Sequence, residues 1–153
     1  MNNGDFFGRK AQEVAKDLVG RIIIRKLDSG VYAALISEAG AYEGLVGADP
    51  QGPRKGMFYN SGNIFLMPHR GHNLFNIACG DSGPACVEIR ELQGEKRIEG
   101  SGAITNYLKI GTLDNKPLGD KTGLYVSDES YFSGKINRSG GSADNCKGIY
   151  SFA

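Results

Sequence analysis

The sequence predicts a β-rich, single-domain α+β fold, and three observations carry that reading. A chain of 153 residues is long enough to bury roughly two-thirds of its unfolded surface in one core. Twenty-three glycines against five prolines imply many turns between short strands. The stretch from Met57 to Gly94 reads as three consecutive strands, Ile64 to Met67, Leu74 to Cys79 and Ala85 to Leu92. Asn60-Ser61-Gly62 and Gly80-Asp81-Ser82-Gly83-Pro84 punctuate them, because Gly supplies positive φ while Asn, Asp and Ser hydrogen-bond their own backbone.

The chain opens with a helix. Phe6 and Phe7 precede Ala11, Val14, Ala15 and Leu18, which recur every three or four residues and so form one packing face, and Gly20 is placed to cap its end. Arg21 to Arg25 carries three consecutive isoleucines and reads as a strand, and Asp28-Ser29-Gly30 turns it into a second strand, Val31 to Glu38. From Ala41 to Gly56 the density of Gly, Pro and Asp predicts a long surface loop, the kind that often binds ligands. Pro68-His69-Arg70-Gly71-His72 is a compact basic tip between two strands. Ala103 to Leu108 fits a short helix, Asp114-Asn115-Lys116-Pro117 a turn, and Leu124-Tyr125-Val126 a short strand. Ser133 to Asn145 reads as irregular, with Ile149, Tyr150 and Phe152 able to return to the core.

Composition bounds the function. No apolar run approaches the roughly 20 residues that span a bilayer, and the first residues do not form a basic and apolar signal, so an intracellular protein is expected. Cys79, Cys86 and Cys146 lack CxxC spacing, which predicts inert thiols and neither a disulfide framework nor a metal site. A net charge of +1 excludes a globally basic nucleic-acid binder. Contact with nucleic acid would need a local patch, for which Arg54 with Lys55, and His69 with Arg70, are candidates. Asn76 and Arg90 interrupt apolar strands, and a buried amide or guanidinium costs free energy unless it faces a partner, solvent or ligand. Asn76 could cap a turn, and Arg90 could pair with Glu88 or Glu91.

These residues carry a family resemblance. DFFGRKAQEVAKDLVGR, SEAGAYEG, PRKGMFYNSGNIFLMPHRGHNLFNIACGDSGPACVEIRELQG and GSGAITNYLKIG follow in order the blocks of the alkyladenine (3-methyladenine) DNA glycosylase family. The resemblance covers most of the chain and implies a curved antiparallel sheet with flanking helices and a protruding β-hairpin. It further implies a monomeric, cofactor-free enzyme that acts on duplex DNA containing damaged bases, flips the lesion out of the stack and cuts its N-glycosidic bond with water. Flipping is needed because the glycosidic carbon is inaccessible inside a duplex.

The implied roles transfer residue by residue. The family's Thr-Glu-Ala-Tyr supplies its general base. Aligned on Ser37-Glu38-Ala39, Glu38 is that base and two residues are inserted before Tyr42; aligned on Ala41-Tyr42, Gly40 takes the position and the water activator is missing. Tyr42 and Met67 would sandwich the base, with Phe65-Leu66-Met67 standing where the family has Tyr-Val-Tyr. The family's histidine after the acidic loop has no counterpart between Gly44 and Arg54. Arg70-Gly71 replaces a Tyr-Gly wedge, so Arg70, with His69 second, would support the flipped state. Asn76 would reject the exocyclic amine of guanine, and Arg90 would help hold the water. Glu38 is thus expected in one concave recess with Tyr42 and Asn76. A lesion-binding protein without hydrolytic activity on the same scaffold is the competing expectation.

Overall fold

The computed structural model describes residues 3–44, 49–100 and 102–129 together with the strands 136–139 and 148–152. The opening helical region is two helices, α1 (Asn3–Phe7) and α2 (Ala11–Leu18), broken after the Gly8 N–H bonds Gly4 O at 2.9 Å. Ala11, Val14, Ala15 and Leu18 are fully buried, as their spacing predicts. Burying a side chain the size of Val14 or Leu18 contributes about 1.5–3 kcal/mol each. The cap lies one residue before the expected glycine: Val19 is the extended C-cap, and Gly20, at φ 94°, swings the chain into the sheet.

The sheet is antiparallel and curled into a half-barrel. Its strands are β1 (Ile22–Leu27), β2 (Gly30–Glu43), β3 (Ile64–His69), β4 (His72–Cys79), β5 (Ala85–Gln93), β6 (Arg97–Glu99), β7 (Leu124–Val126), β8 (Ile136–Ser139) and β9 (Gly148–Phe152). The main order is β3-β4-β5-β2-β1-β7, with β6 on β5, β9 on β2 and β8 on β9. Helix α3 (Ala103–Leu108) occupies the expected range.

Two expectations are corrected. The second strand does not stop at Glu38 but continues through Glu43, removing Ala41, Tyr42 and Glu43 from the expected loop. Gly40 does not break it because its backbone stays in register opposite Glu88 and β5 supplies the ladder. The far end of that loop is a single 3₁₀ turn, Lys55–Phe58. In the segment expected to be irregular, Ile136–Ser139 forms a strand paired with β9; Cys146 lies outside the described residues.

Alternation sorts the central strands into two faces. Ala39 and Ala41 of β2, Ile64 and Leu66 of β3, Phe75, Ile77 and Cys79 of β4, and Ala85, Val87 and Ile89 of β5 join the main core beneath α2. The opposite face carries Tyr42, Phe65, Met67 and Cys86, which with Met57 and Tyr59 form a second, smaller cluster. Two positions break the alternation. Register shifts flank Glu38, so that Ser37 on β2 and Arg90 on β5 are left without a direct cross-strand partner. Such bulges bend a strand and re-aim its side chains. At the same level the sheet changes neighbours: β2 passes from β1 to β9, and β5 from β4 to β6. The divergence of β4 and β6 opens a cleft.

Candidate active site

Two adjoining recesses occupy this cleft. The first, of about 280 Å³, is mainly apolar, with Tyr42, Met57, Phe65, Met67, Leu74 and Cys86 in its walls beside Arg54, His69, Asn76 and Glu88. The second, of about 320 Å³, is polar; Glu38, Glu88, Arg90 and Glu99 line it together with His69, Asn73 and Thr105. His69, Leu74 and Glu88 belong to both.

The walls follow from strand register. Phe65 faces Asn76, Met67 faces Leu74, Asn76 faces Glu88, Gly40 faces Glu88 and Tyr42 faces Cys86. Directly opposed residues share a sheet face, so one continuous surface runs from Met67 on β3 to Tyr42 on β2. The 3₁₀ turn closes the recess from below by packing Met57 against Phe65 and Cys86. Asp114 fastens this wall, accepting from the Leu66 N–H and from the Tyr59 hydroxyl, each at 2.8 Å. Burial and that bond push the Tyr59 phenol up to about 12.

Arg90 is the hub. It donates through Nη2 to the Tyr42 hydroxyl and through Nε to Glu88 Oε1 at 3.2 Å, while the Tyr42 hydroxyl donates to that same oxygen at 3.0 Å. Its Nη1 stands 3.9 Å from Glu38 Oε1. The Arg90–Glu88 ion pair open from the sequence is therefore present. Burial alone would lower the Arg90 pKa, but Glu88, Tyr42 and Glu38 hold it above its ordinary value. Burial pushes Tyr42 up to about 12, so the phenol keeps its proton and can donate to Glu88.

Glu38 differs from its neighbours in being only loosely held. Burial raises its pKa above the ordinary 4.5, and Arg90 only partly offsets this. A carboxylate whose pKa is raised in this way is a stronger proton acceptor than a free one. Its side chain is 30% exposed, leaving it accessible from the cleft. Glu91, beside it on β5, behaves oppositely. Burial would raise it, but hydrogen bonds from Ser37, Arg97 and Gln93 pull it below its ordinary value.

Glu38, Arg90, Tyr42, Met67, Asn76, His69 and Arg54 come together around the cleft. Glu38, however, lines the polar recess and not the apolar one that holds Tyr42 and Asn76, so the single recess expected from the sequence is two. Glu38 keeps the alternation of Gly40 and Tyr42 and shares their face, but it lies four residues from Tyr42, about 13 Å along β2, and so reaches the other recess. Asn76, only 4% exposed, does not cap a turn; its Nδ2 donates within its own strand to Leu74 O at 3.3 Å, and its Oδ1 accepts from Cys86 Sγ at 3.6 Å. Arg70 sits at the exposed hairpin tip with φ 51°, followed by Gly71 at 80°, and lines neither recess. Lys55 is exposed on the 3₁₀ turn and also lines neither. Cys79 fits the expected inert thiol, pushed by burial up to about 12, whereas Cys86 is part of the apolar wall.

Glu88 was missed by sequence reasoning. The signal was available in Ala85-Cys86-Val87-Glu88-Ile89-Arg90, where strict alternation puts Cys86 and Glu88 on the face opposite Val87 and Ile89. Gly40 gains its reason from the same neighbourhood. An added Cβ would lie 2.8 Å from Arg90 Nε and 3.1 Å from Tyr42 Cε2, so the missing side chain on β2 makes room for the guanidinium.

The chain's relatives agree in kind. Residues 5–140 match the family model described as methylpurine-DNA glycosylase (MPG). A Borreliella afzelii protein named "Putative 3-methyladenine DNA glycosylase" is 31% identical over 129 residues, covering 72% of this chain and 69% of its own length. Proteins of the same name from Bacillus velezensis and Prosthecochloris aestuarii are 31% identical over 148 residues and 28% over 155. The former match covers 81% of this chain and 76% of the relative, the latter 85% and 74%.

Proposed function

The chain belongs to the methylpurine-DNA glycosylase family, and from that membership we propose that it is a monofunctional DNA N-glycosylase releasing alkylated purines of the 3-methyladenine and 7-methylguanine type from duplex DNA. One observation carries this reading beyond kinship: an apolar recess adjoins a polar recess holding an ionisable carboxylate, both reached past a basic hairpin. A flipped base needs the first, and hydrolysis at the sugar beside it needs the second.

In this mechanism the base enters between Tyr42 and Met67, and the Asn76 amide borders it so that the amino group of guanine and of 7-methylguanine alike meets a donor it cannot satisfy, a penalty that 7-methylguanine offsets because its positive charge weakens the glycosidic bond. The C1′–N9 bond lengthens, its electron pair moves onto the base, and positive charge develops on the sugar. Glu38 accepts a proton from water as the water oxygen bonds C1′, and its negative charge stabilises the oxocarbenium-like sugar. An alkylated purine that starts cationic leaves neutral, so no acid is required. Arg90, anchored on Glu88 and Tyr42, places the water beside Glu38. Arg70, with His69, occupies or braces the vacated stack, while Arg54 and Lys55 contact the DNA backbone. Among the described residues no lysine lines either recess, which supports cleavage by water without a Schiff base and hence without strand scission.

The test is a duplex carrying one 7-methylguanine, with the released base quantified by mass spectrometry and the strand followed on a gel. Free base with a strand that breaks only after alkali supports the reading. A second reading, lesion binding without hydrolysis, is favoured by Gly40 occupying the base position when Tyr42 is held in register. Tight lesion binding with no base release would establish it instead.

A further inference from the structure

Among the described residues Glu88 is the one carboxylate common to both recesses, and the catalytic scheme above uses it only as an anchor. It stands on the cleft face opposite Gly40 on β2 and Asn76 on β4, with its side chain 14% exposed. Both of its hydrogen bonds, from Tyr42 and from Arg90, fall on Oε1. We propose that Glu88 is a charge-selecting residue, whose carboxylate makes the apolar recess prefer a purine bearing positive charge over a neutral purine of similar size. This rests on the glycosylase reading and deepens it, by naming charge as the substrate property that the recess distinguishes.

The rest of the wall supplies only part of that preference. Met57, Met67, Leu74 and Cys86 match a base by shape and dispersion and respond weakly to its charge, whereas the Tyr42 and Phe65 rings favour a cation through their faces. A fixed negative charge adds to what the rings supply. Among the described residues three carboxylates, Glu38, Glu88 and Glu99, line the joined recesses with two guanidiniums, Arg54 and Arg90, and the His69 imidazole. Arg90 is shared between Glu88 and Glu38, so that one guanidinium serves two carboxylates. In a partly desolvated wall the remaining negative potential is weakly screened.

The placement across both recesses also removes a conflict. A carboxylate that touched only the base would hold a cationic substrate back, since the base becomes neutral as the bond breaks. Glu88 borders the base side and the sugar side alike, so the positive charge moves from ring to sugar without leaving its reach. Selection for charge is therefore compatible with turnover.

The experiment compares base release from duplexes carrying a single 7-methylguanine, which is cationic, or a single hypoxanthine, which is neutral. It uses wild type, Glu88→Gln, Glu88→Asp, Tyr42→Phe and Glu38→Gln, each checked for cooperative unfolding. Binding of the 7-methylguanosine cation and of guanosine is measured calorimetrically at pH 6 on the same proteins. Glu88→Gln is expected to lower the cationic-to-neutral ratio by about tenfold or more, in both rate and affinity. Glu88→Asp keeps most of the preference, and Tyr42→Phe lowers both substrates together with the ratio preserved. An unchanged ratio in Glu88→Gln overturns the proposal. Loss of release from both duplexes in Glu88→Gln, with release retained in Glu38→Gln, also overturns it and makes Glu88 the water activator. If wild type releases neither base, the glycosylase reading fails, and the nucleoside preference still decides the role of Glu88.

Discussion

Replacing Gly56 with alanine strikes the floor of the apolar recess without touching any group assigned to chemistry. Gly56 is buried on the 3₁₀ turn, and its Cβ would fall within the Phe65 ring, with even Cε1 only 2.6 Å away. Carbon atoms pack at roughly 3.5–4.0 Å, so the ring must move by about 1 Å or more. Phe65 is 2% exposed and is backed by Met57 and Cys86, which leaves the recess itself as its outlet. Overpacking of this kind costs about 1–3 kcal/mol, and the displaced ring takes up space that a base would occupy. Urea denaturation should therefore show a lower midpoint with an unchanged m-value, and affinity for a lesion-bearing duplex should fall while affinity for undamaged duplex is kept. Adding Phe65→Leu returns room to the methyl group, so the double variant should lose less stability than the sum of the two single changes. Gly56→Ala within about 0.5 kcal/mol of wild type, with lesion affinity intact, would refute the packing described for this wall.

Further outcomes follow from the hub and the hairpin. Tyr42→Phe removes the hydroxyl bonded to Arg90 and Glu88; because those two remain paired, the loss should be near the lower end for charged partners, about 1.5 kcal/mol by denaturant titration. The raised pKa of Glu38 favours its protonated form in the folded protein. Its stabilising contribution is present below the ordinary value of 4.5 and lost as pH rises through the higher folded value. Glu38→Gln should flatten stability in that window, and in wild type base release should fall as pH drops into it, because the base must be ionised. At the hairpin tip, Arg70 holds φ 51°, a conformation that asparagine tolerates better. Arg70→Asn should thus leave thermal stability equal or higher while weakening DNA binding and reducing the salt slope by about one.

Local signals in the sequence were sufficient for much of this fold. The spacing of Ala11, Val14, Ala15 and Leu18 located the packed face of α2, and the turns at Asn60-Ser61-Gly62 and Gly80 to Pro84 delimited β3, β4 and β5. Helix α3 and strand β7 were also legible. What escaped were features decided by partners distant in sequence. Gly40 looks like a strand breaker until β5 lies alongside it, and so the last residues of β2 read as loop. The bulges at Ser37 and Arg90 have no composition of their own, yet the one at Ser37 reverses the alternation between Ile36, which joins the core, and Glu38, which faces the cleft. Asn76 and Arg90 were recognisable because each interrupts an apolar run. Glu88 was harder, since a glutamate in an alternating strand usually faces solvent, and only its position opposite Gly40 reveals its contacts.

The central claim is that a carboxylate in the polar recess cuts the bond of a base held in the apolar one. Single-turnover release from a duplex bearing one 7-methylguanine, measured for wild type and Glu38→Gln alongside lesion binding, tests it directly. Wild type is expected to release the base and Glu38→Gln to release it at least a hundredfold more slowly, with lesion affinity essentially retained. Equal rates from the two proteins would contradict it.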